Sequence, residues 1–252
     1  MTWSIIARDN STGQFGIAVA TRFFAVGALA PHLKSRVGAI ATQALVNVFY
    51  GTEGLRLLEQ GAGAKEVVAA VVAADAGRDH RQVHAIDAQG CIAAYTGKSC
   101  VDWCGHLAGD NFSVAGNMLA GAGVINDTAA AYTKNAALSF PRRLIAAMRA
   151  GEAAGGDKRG KQSAALIICG EEEWPDLNLR VDDHADPLAE LERLESVSRE
   201  RFVHFMHMLP NGTTGSASPT AALSRANSHK PKPKPRCTLR ERLRSAFGNR
   251  KS

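Results

Sequence analysis

Aromatic residues and cysteines are scarce, and no apolar run approaches the roughly 20 residues that a membrane-crossing helix needs. Aromatics make up 6% of the 252 residues, while Ala and Gly recur throughout. Such small residues suit closely packed layers of helix and sheet. Five cysteines in a chain of this length exclude a disulfide scaffold. Cys100, Cys104 and His106 (CVDWCGH) stand at a tolerable ligand spacing, but no second ligand pair follows at a zinc-like interval, so no metal is expected. No G-x-S-x-G occurs, which removes the nucleophile elbow of a Ser/His/Asp enzyme. The segment Gly155–Ser163 (GGDKRGKQS) misses the phosphate-loop pattern at Gln162, and it lies after a helical and before a strand-like stretch, the reverse of what that motif needs. The first ten residues contain Arg8 and Asp9 and no apolar leader segment, so a cytoplasmic chain is expected.

The net charge of +6 is unevenly placed. Residues 211–252 hold ten Lys or Arg and one acid, Glu241, whereas residues 1–210 hold twenty Lys or Arg and twenty-three acids. The basic character therefore belongs to the tail, and nucleic-acid binding by the domain does not follow from it. NGTTGSASPT followed by KPKPKP reads as a polar linker and a charged spacer. The expected organisation is a domain over 1–210 and a disordered basic tail over 211–252. Within the tail, Thr238–Phe247 has Leu239, Leu243 and Phe247 in one stripe, and the tail is expected to make only weak electrostatic contacts.

Within the domain, Thr2–Arg8 and Gln14–Thr21 flank the turn-rich DNSTG and predict a β-hairpin. A strand is expected at Val37–Gln43. Helices are expected at Tyr50–Gln60 and at Ala64–Ala76, where Val67, Val68, Val71 and Val72 share a face. A second hairpin pairs Gln82–Asp87 with Cys91–Thr96, and Phe112–Met118 reads as a further strand. Helices at Gly123–Ala136 and Ser139–Ala150, a strand at Gln162–Cys169 and a helix at Asp186–Met208 complete the pattern. Clustered hairpins and helix pairs point to an α+β layered domain.

The N-terminus carries the sharpest chemical signal. Thr2 follows Met1, and a small second residue usually permits removal of the initiator. That would expose an α-amine, with an ordinary pKa of about 7.7–8.0, beside a hydroxyl; the amine can then act as base for its own side chain. Period-2 alternation puts Thr2, Ser4 and Ile6 on one face of the strand and Trp3, Ile5 and Ala7 on the other. Asn117 ends a strand, where its amide can stabilise an oxyanion or cap the chain. Arg22 can grip a substrate carboxylate or serve a surface ion pair. The loop bearing Asp157, Lys158 and Arg159 brings charge to the end of a core strand, either for function or as a solvated turn. Asp182, Asp183 and His184 (RVDDH) precede a helix that Asp186 can cap, a more frequent use of such residues than holding a metal.

Several stretches together resemble a known family: TWSIIARD (2–9), GIAVATR (16–22), ATQALVNVFYG (41–51), SVAGNML (113–119), GGDKRGKQSA (155–164) and LRVDDH (179–184). They look like the domain-of-unknown-function family numbered 1028, placed with the N-terminal-nucleophile hydrolases. The resemblance covers roughly residues 1–205 and implies a four-layer αββα sandwich of two antiparallel sheets flanked by helices. It implies Thr2 at the mouth of that sandwich, with motif residues at Arg22, Gln43, Asn117, Asp157, Arg159, Gln162 and Ser163. The reading is then an amide C–N hydrolase for a small anionic substrate. Thr2, Asn117, Asp157 and Arg159 would serve the chemistry, and Arg22, Gln43, Lys158, Gln162 and Ser163 the substrate. No cofactor is needed, and by analogy the chain forms a homo-oligomer. The alternatives are a non-catalytic binding module on the same fold, or a function carried by the tail.

Overall fold

A computed structural model describes residues 2–206 and 208–209. Met1 and the expected tail from Asn211, including Thr238–Phe247, lie outside the described residues. The first hairpin joins β1 (Thr2–Arg8) to β2 (Phe15–Thr21), in register from Trp3 opposite Ala20 to Arg8 opposite Phe15. Its loop is set by Asp9, whose Oδ1 accepts from the backbone N–H groups of Ser11 and Thr12, each at 2.9 Å. A side chain that mimics a backbone turn in this way is why DNSTG reverses the chain.

The remaining strands are β3 (Pro31–Lys34), β4 (Gly38–Ala44), β5 (Arg81–Asp87), β6 (Ile92–Thr96), β7 (Gly105–Gly109), β8 (Phe112–Asn117), β9 (Ser163–Cys169) and β10 (Leu177–Val181). They form a six-stranded sheet, β10-β9-β2-β1-β8-β7, and a four-stranded sheet, β3-β4-β5-β6. Every pairing is antiparallel. The helices are α1 (Phe49–Glu59), α2 (Ala64–Ala73), α3 (Gly123–Lys134), α4 (Phe140–Ala153), α5 (Pro187–Ser198) and α6 (Phe202–Met206).

Three apolar clusters order these elements into layers. Ile40, Val83 and Ala85 of the smaller sheet pack with Tyr50 and Leu58 of α1 and Val67, Val68 and Val71 of α2. Trp3, Ile5 and Ala7 of β1 pack with Val124 and Ile125 of α3, Leu144 and Met148 of α4, and Leu188 and Leu191 of α5. Between the sheets lie Ile6, Phe15, Ile17, Ala39, Ala41 and Ile86. The order is helix, sheet, sheet, helix, an α+β sandwich. The alternation expected along β1 is realised: odd-numbered side chains go under the helices, and Thr2, Ser4 and Ile6 go between the sheets. Burying a side chain such as Ile5 fully stabilises the fold by about 1.5–3 kcal/mol.

Three strands, β3, β7 and β10, are not among those expected from the sequence. All three are edges, and each is four or five residues long. An edge strand pairs on one side only and tolerates Pro31 or the glycines of GHLAG, so β3 and β7 carry little alternation, whereas β10 (LNLRV) does alternate and sequence reasoning missed its five-residue signal. The helix expected over Asp186–Met208 is also corrected: it breaks after Ser198. The Ser198 hydroxyl donates to the Glu195 carbonyl at 2.7 Å, a side-chain bond that competes with continuation of the helix. Its start is as expected, with Pro187 in the first turn and the Asp186 carboxylate accepting from Ala189 N at 3.1 Å.

Close approach of α4 to β2 depends on Gly16. A Cβ there would lie 2.6 Å from Leu144 Cδ1 and 2.9 Å from both Ile168 Cδ1 and Phe140 Cε1. Gly16→Ala is expected to destabilise the domain by about 1–3 kcal/mol, because three packed side chains must yield at once. Urea unfolding measures this, and an unchanged midpoint would show that α4 is not seated against β2 as described.

Candidate functional site

Six strand ends converge at one end of the sandwich. Thr2 opens β1, Thr21 closes β2, Gln43 lies one residue from the end of β4, Gln82 one from the start of β5, Asn117 closes β8 and Ser163 opens β9. Thr2 faces Asn117 across β1 and β8, and it is only 6% exposed. Its Oγ1 donates to the Thr21 hydroxyl at 3.3 Å.

Behind Thr2 the space between the sheets is polar. Ser4 Oγ donates to Gln43 Oε1 at 2.8 Å and lies 2.9 Å from His84 Nε2, while His84 Nδ1 lies 3.1 Å from Ser113 Oγ. Because the Ser4 proton is given to Gln43, Ser4 accepts from Nε2–H, and Nδ1 accepts from Ser113. That hydrogen-bond logic assigns the tautomer. Gln82 Oε1 accepts from Gln43 Nε2 at 2.7 Å and from Asn117 Nδ2 at 3.0 Å. Around Gln82 Nε2 stand Thr96 Oγ1, Gly105 O and Gly116 O, all within 3.0 Å. Asn117 Nδ2 makes a second, longer contact to Thr2 O at 3.4 Å. Both N–H groups of Asn117 are therefore engaged, the one towards Thr2 only loosely.

The loop from Ala154 to Gln162 closes one side of this end. The Asp157 carboxylate is buried; it accepts from Arg22 N at 2.8 Å and Arg159 N at 2.9 Å, and pairs with Arg159 Nη2 at 3.2 Å. Arg22 is exposed, and its guanidinium has no hydrogen bond or ion pair among the described residues. Lys158 is exposed and reaches Asp102 O at 2.8 Å. Gln162 donates to Asp183 Oδ1 at 3.1 Å. Ser163 is fully buried; its hydroxyl donates to Phe23 O at 2.6 Å and accepts from Val26 N at 3.1 Å. It clamps the segment after β2 and has no proton left to offer a ligand. The structure thus groups Thr2, Gln43 and Asn117 in one network and Arg22, Asp157 and Arg159 in a second cluster beside it. Lys158, Gln162 and Ser163 make contacts of their own around that end.

Five non-glycine residues among those described adopt left-handed backbone: Ala25 (φ 54°), Ala44 (φ 69°) and Met118 (φ 54°) on the Thr2 side, and Arg36 (φ 63°) and Asn111 (φ 58°) in the turns before β4 and β8. Ala44 and Met118 directly follow Gln43 and Asn117. Such conformations cost about 1–3 kcal/mol each.

Gln82 and His84 belong to this network, and sequence reasoning missed them. The signal was there: QVHAID alternates Gln82, His84 and Ile86 with apolar residues, but a polar face is ordinarily assigned to solvent. Elsewhere, Cys100 donates to Arg81 O at 3.3 Å, and Cys104 lies 3.6 Å from Cys100 O. Asp182 pairs with Arg180. Among the described residues no group of three or more His, Cys, Asp or Glu side chains is placed to hold a metal ion. None of the described helices is long and apolar enough to cross a membrane.

The chain belongs to the family of unknown function DUF1028, whose family model matches residues 2–191. The crystal structure of protein SPO2555 from Silicibacter pomeroyi, of the same family, is 32% identical, with a TM-score of 0.80 over 86% of this chain and 98% of that one. Anbu, an ancestral β-subunit from Yersinia bercovieri, is 10% identical with a TM-score of 0.38 over 83% of this chain and 98% of that one, too slight a likeness to bear on fold or function. No curated protein matches the chain.

Burial, with a smaller contribution from the charge of His106, pulls the His84 ring down to about 3. The unfolded chain takes up this proton below about pH 6.5 and the folded chain does not. Stability is therefore complete above about pH 6.5 and falls by up to about 1.4 kcal/mol per pH unit as pH drops towards 3. Urea unfolding between about pH 7 and pH 5 is expected to show that decline, and His84→Gln to flatten it from a lower starting stability. An equally steep decline in His84→Gln would mean that other groups carry the acid sensitivity.

Proposed function

We propose that this chain is an N-terminal-nucleophile hydrolase that cleaves an amide C–N bond in a small anionic substrate. The observation that supports this reading is the position of Thr2. It is the first residue of a central strand, its side chain turns inward at the mouth of the sandwich, and it faces a fixed set of amide donors. Removal of Met1 would place a free amine on the same residue. The amine takes the proton from Thr2 Oγ1 as the oxygen attacks the substrate carbonyl, and returns it to the leaving nitrogen as the C–N bond breaks. The resulting ester on Thr2 Oγ1 is then hydrolysed by water, with the same amine as base.

The oxyanion needs preorganised donors. Asn117 can supply the N–H now held loosely on Thr2 O at 3.4 Å. Gln43 Nε2 has one hydrogen on Gln82 Oε1 and a second without a partner among the described residues. Asp157 fixes Arg159 and the backbone at Arg22, which leaves the Arg22 guanidinium as the cation for a substrate carboxylate. One observation favours the second reading, a non-catalytic binding module: the hydrogen bonds of Asn117 are already satisfied without a ligand.

An N-terminal sequence beginning at Thr2, with its amine unblocked, is the first expectation. With a chromogenic anionic amide such as glutaryl-p-nitroanilide, Thr2→Ala is expected to lower turnover by at least about 10³-fold, while Thr2→Ser keeps a measurable part. Full turnover in Thr2→Ala, or a protein that keeps Met1 and still cleaves the amide, would defeat the mechanism.

A further inference from the structure

The mouth of the sandwich is apolar at its rim. Seven of the twelve large apolar side chains exposed among the described residues lie on segments 22–30, 45–49 and 97–104, all at the Thr2 end. Phe23, Phe24, Leu45, Phe49 and Val101 are between 50 and 73% exposed. Each is tied closely to a residue of the site. Phe23 and Phe24 follow Thr21, the hydroxyl partner of Thr2, by two and three residues, and Leu45 follows Gln43 by two. Val101 O accepts from the N–H of Met118, next to Asn117, at 2.7 Å. Asn47, whose carbonyl accepts from Thr42 Oγ1, accepts the Phe49 N–H on its side chain.

The opposite end of β1 is different in kind. There a cleft of about 520 Å³ is lined by Arg8, Asp9, Ser11, Asp110, Asn111 and Arg143, with charges of both signs. Apolar exposure is thus concentrated around the candidate nucleophile. Exposed apolar side chains gathered at one end of a domain are a feature of binding faces. Charges of both signs stand close by, with the exposed acids Asp102 and Asp183 among them, but the Arg22 guanidinium has no ion pair among the described residues and Lys158 reaches only the backbone carbonyl of Asp102. A rim of aromatic and aliphatic side chains beside the open Arg22 guanidinium complements a molecule that is apolar at one end and anionic at the other.

We propose that the substrate class of this site is the amphipathic carboxylate amide, an apolar acyl arm joined through the scissile amide to a small anionic group, as in an N-acyl amino acid. The arm lies across Phe23, Phe24 and Leu45, and the carboxylate meets Arg22. This rests on the hydrolase reading only for the cleavage of the amide. The complementarity of rim and ligand stands without it. Each methylene that leaves water against the rim tightens binding by up to about fourfold.

The test is calorimetric binding to the full-length Thr2→Ala chain, which does not depend on turnover. N-octanoylglycine is expected to bind at least about 30-fold more tightly than N-acetylglycine, since six methylenes are added at constant charge. Phe24→Ser combined with Leu45→Ser is expected to remove most of that gain, and Leu138→Ser, an exposed apolar residue elsewhere, none of it. Arg22→Ala is expected to weaken N-octanoylglycine about fivefold and the uncharged N-octanoylglycinamide hardly at all. Equal binding of the octanoyl and acetyl compounds would overturn the proposal. So would a self-associated chain that Phe24→Glu dissociates and that binds neither compound, because the rim would then be a contact between copies. If N-octanoylglycine binds as expected but the unmutated chain does not hydrolyse it, the hydrolase reading fails and the assignment of the ligand class survives.

Discussion

The arrangement of this domain turns on one buried carboxamide. Gln82 Oε1 accepts from Gln43 on its own sheet and from Asn117 on the other, while its Nε2 reaches Thr96, Gly105 and Gly116. One side chain thereby joins β4, β6, β7 and β8 around β5. The three carboxamides are removed from water, and an unsatisfied buried amide costs about 1–3 kcal/mol. Gln43, Gln82 and Asn117 therefore hold their places as a set. Misplacing one leaves the others without partners, which is what makes a polar seam specify a single arrangement.

The seam divides the space between the sheets into two kinds of interior. Towards the end away from Thr2, Ile6, Phe15, Ile17, Ala39, Ala41 and Ile86 form an ordinary apolar filling. Towards the mouth, the same strands supply Thr2 and Ser4 from β1, Gln43 from β4, and Gln82 and His84 from β5. Each strand changes chemistry along its length without changing face. Thr2 belongs to the polar half because it has the parity of Ser4 and Ile6, and Trp3 stabilises that parity by filling the layer under α3 and α4.

Parity is also why some of this was legible in the sequence and some was not. TWSIIAR alternates, and the faces of β1 follow from that. The valines of α2 repeat at helical spacing, and three of the four are buried. The edge strands β3 and β7 are short and contain Pro or Gly, so little in them distinguishes strand from loop, while β10 (LNLRV) alternates and was legible over its five residues. QVHAID has the periodicity of a strand, but Gln82 and His84 read as a solvated face, because one-sided burial is the usual fate of an antiparallel strand. Only a second sheet stacked on that face makes them interior, and stacking is not encoded in any one segment. The buried Asp157 is similar: in GGDKRGKQ it reads as one charge among several, and its role appears only when Arg22 N arrives from a segment 135 residues away in sequence.

Stability alone does not account for a polar half. Removing both partners of a buried hydrogen bond and filling the space with apolar groups is often neutral or stabilising, and the other half of the same sandwich shows that apolar residues fit between these sheets. The polar groups instead sit at the end where Thr2 enters, next to two strand exits, at Ala44 and Met118, in unfavourable left-handed backbone. Buried polar groups collected at one end of a fold are expected where donors must be held still before a reaction begins, since preorganised dipoles stabilise developing charge without reorganising. On the proposed hydrolase reading, that purpose is supplied by the oxyanion formed at Thr2. The strained exits and the Gln82 lock then serve one requirement, which is to keep amide donors aimed at a strand terminus that would otherwise fray.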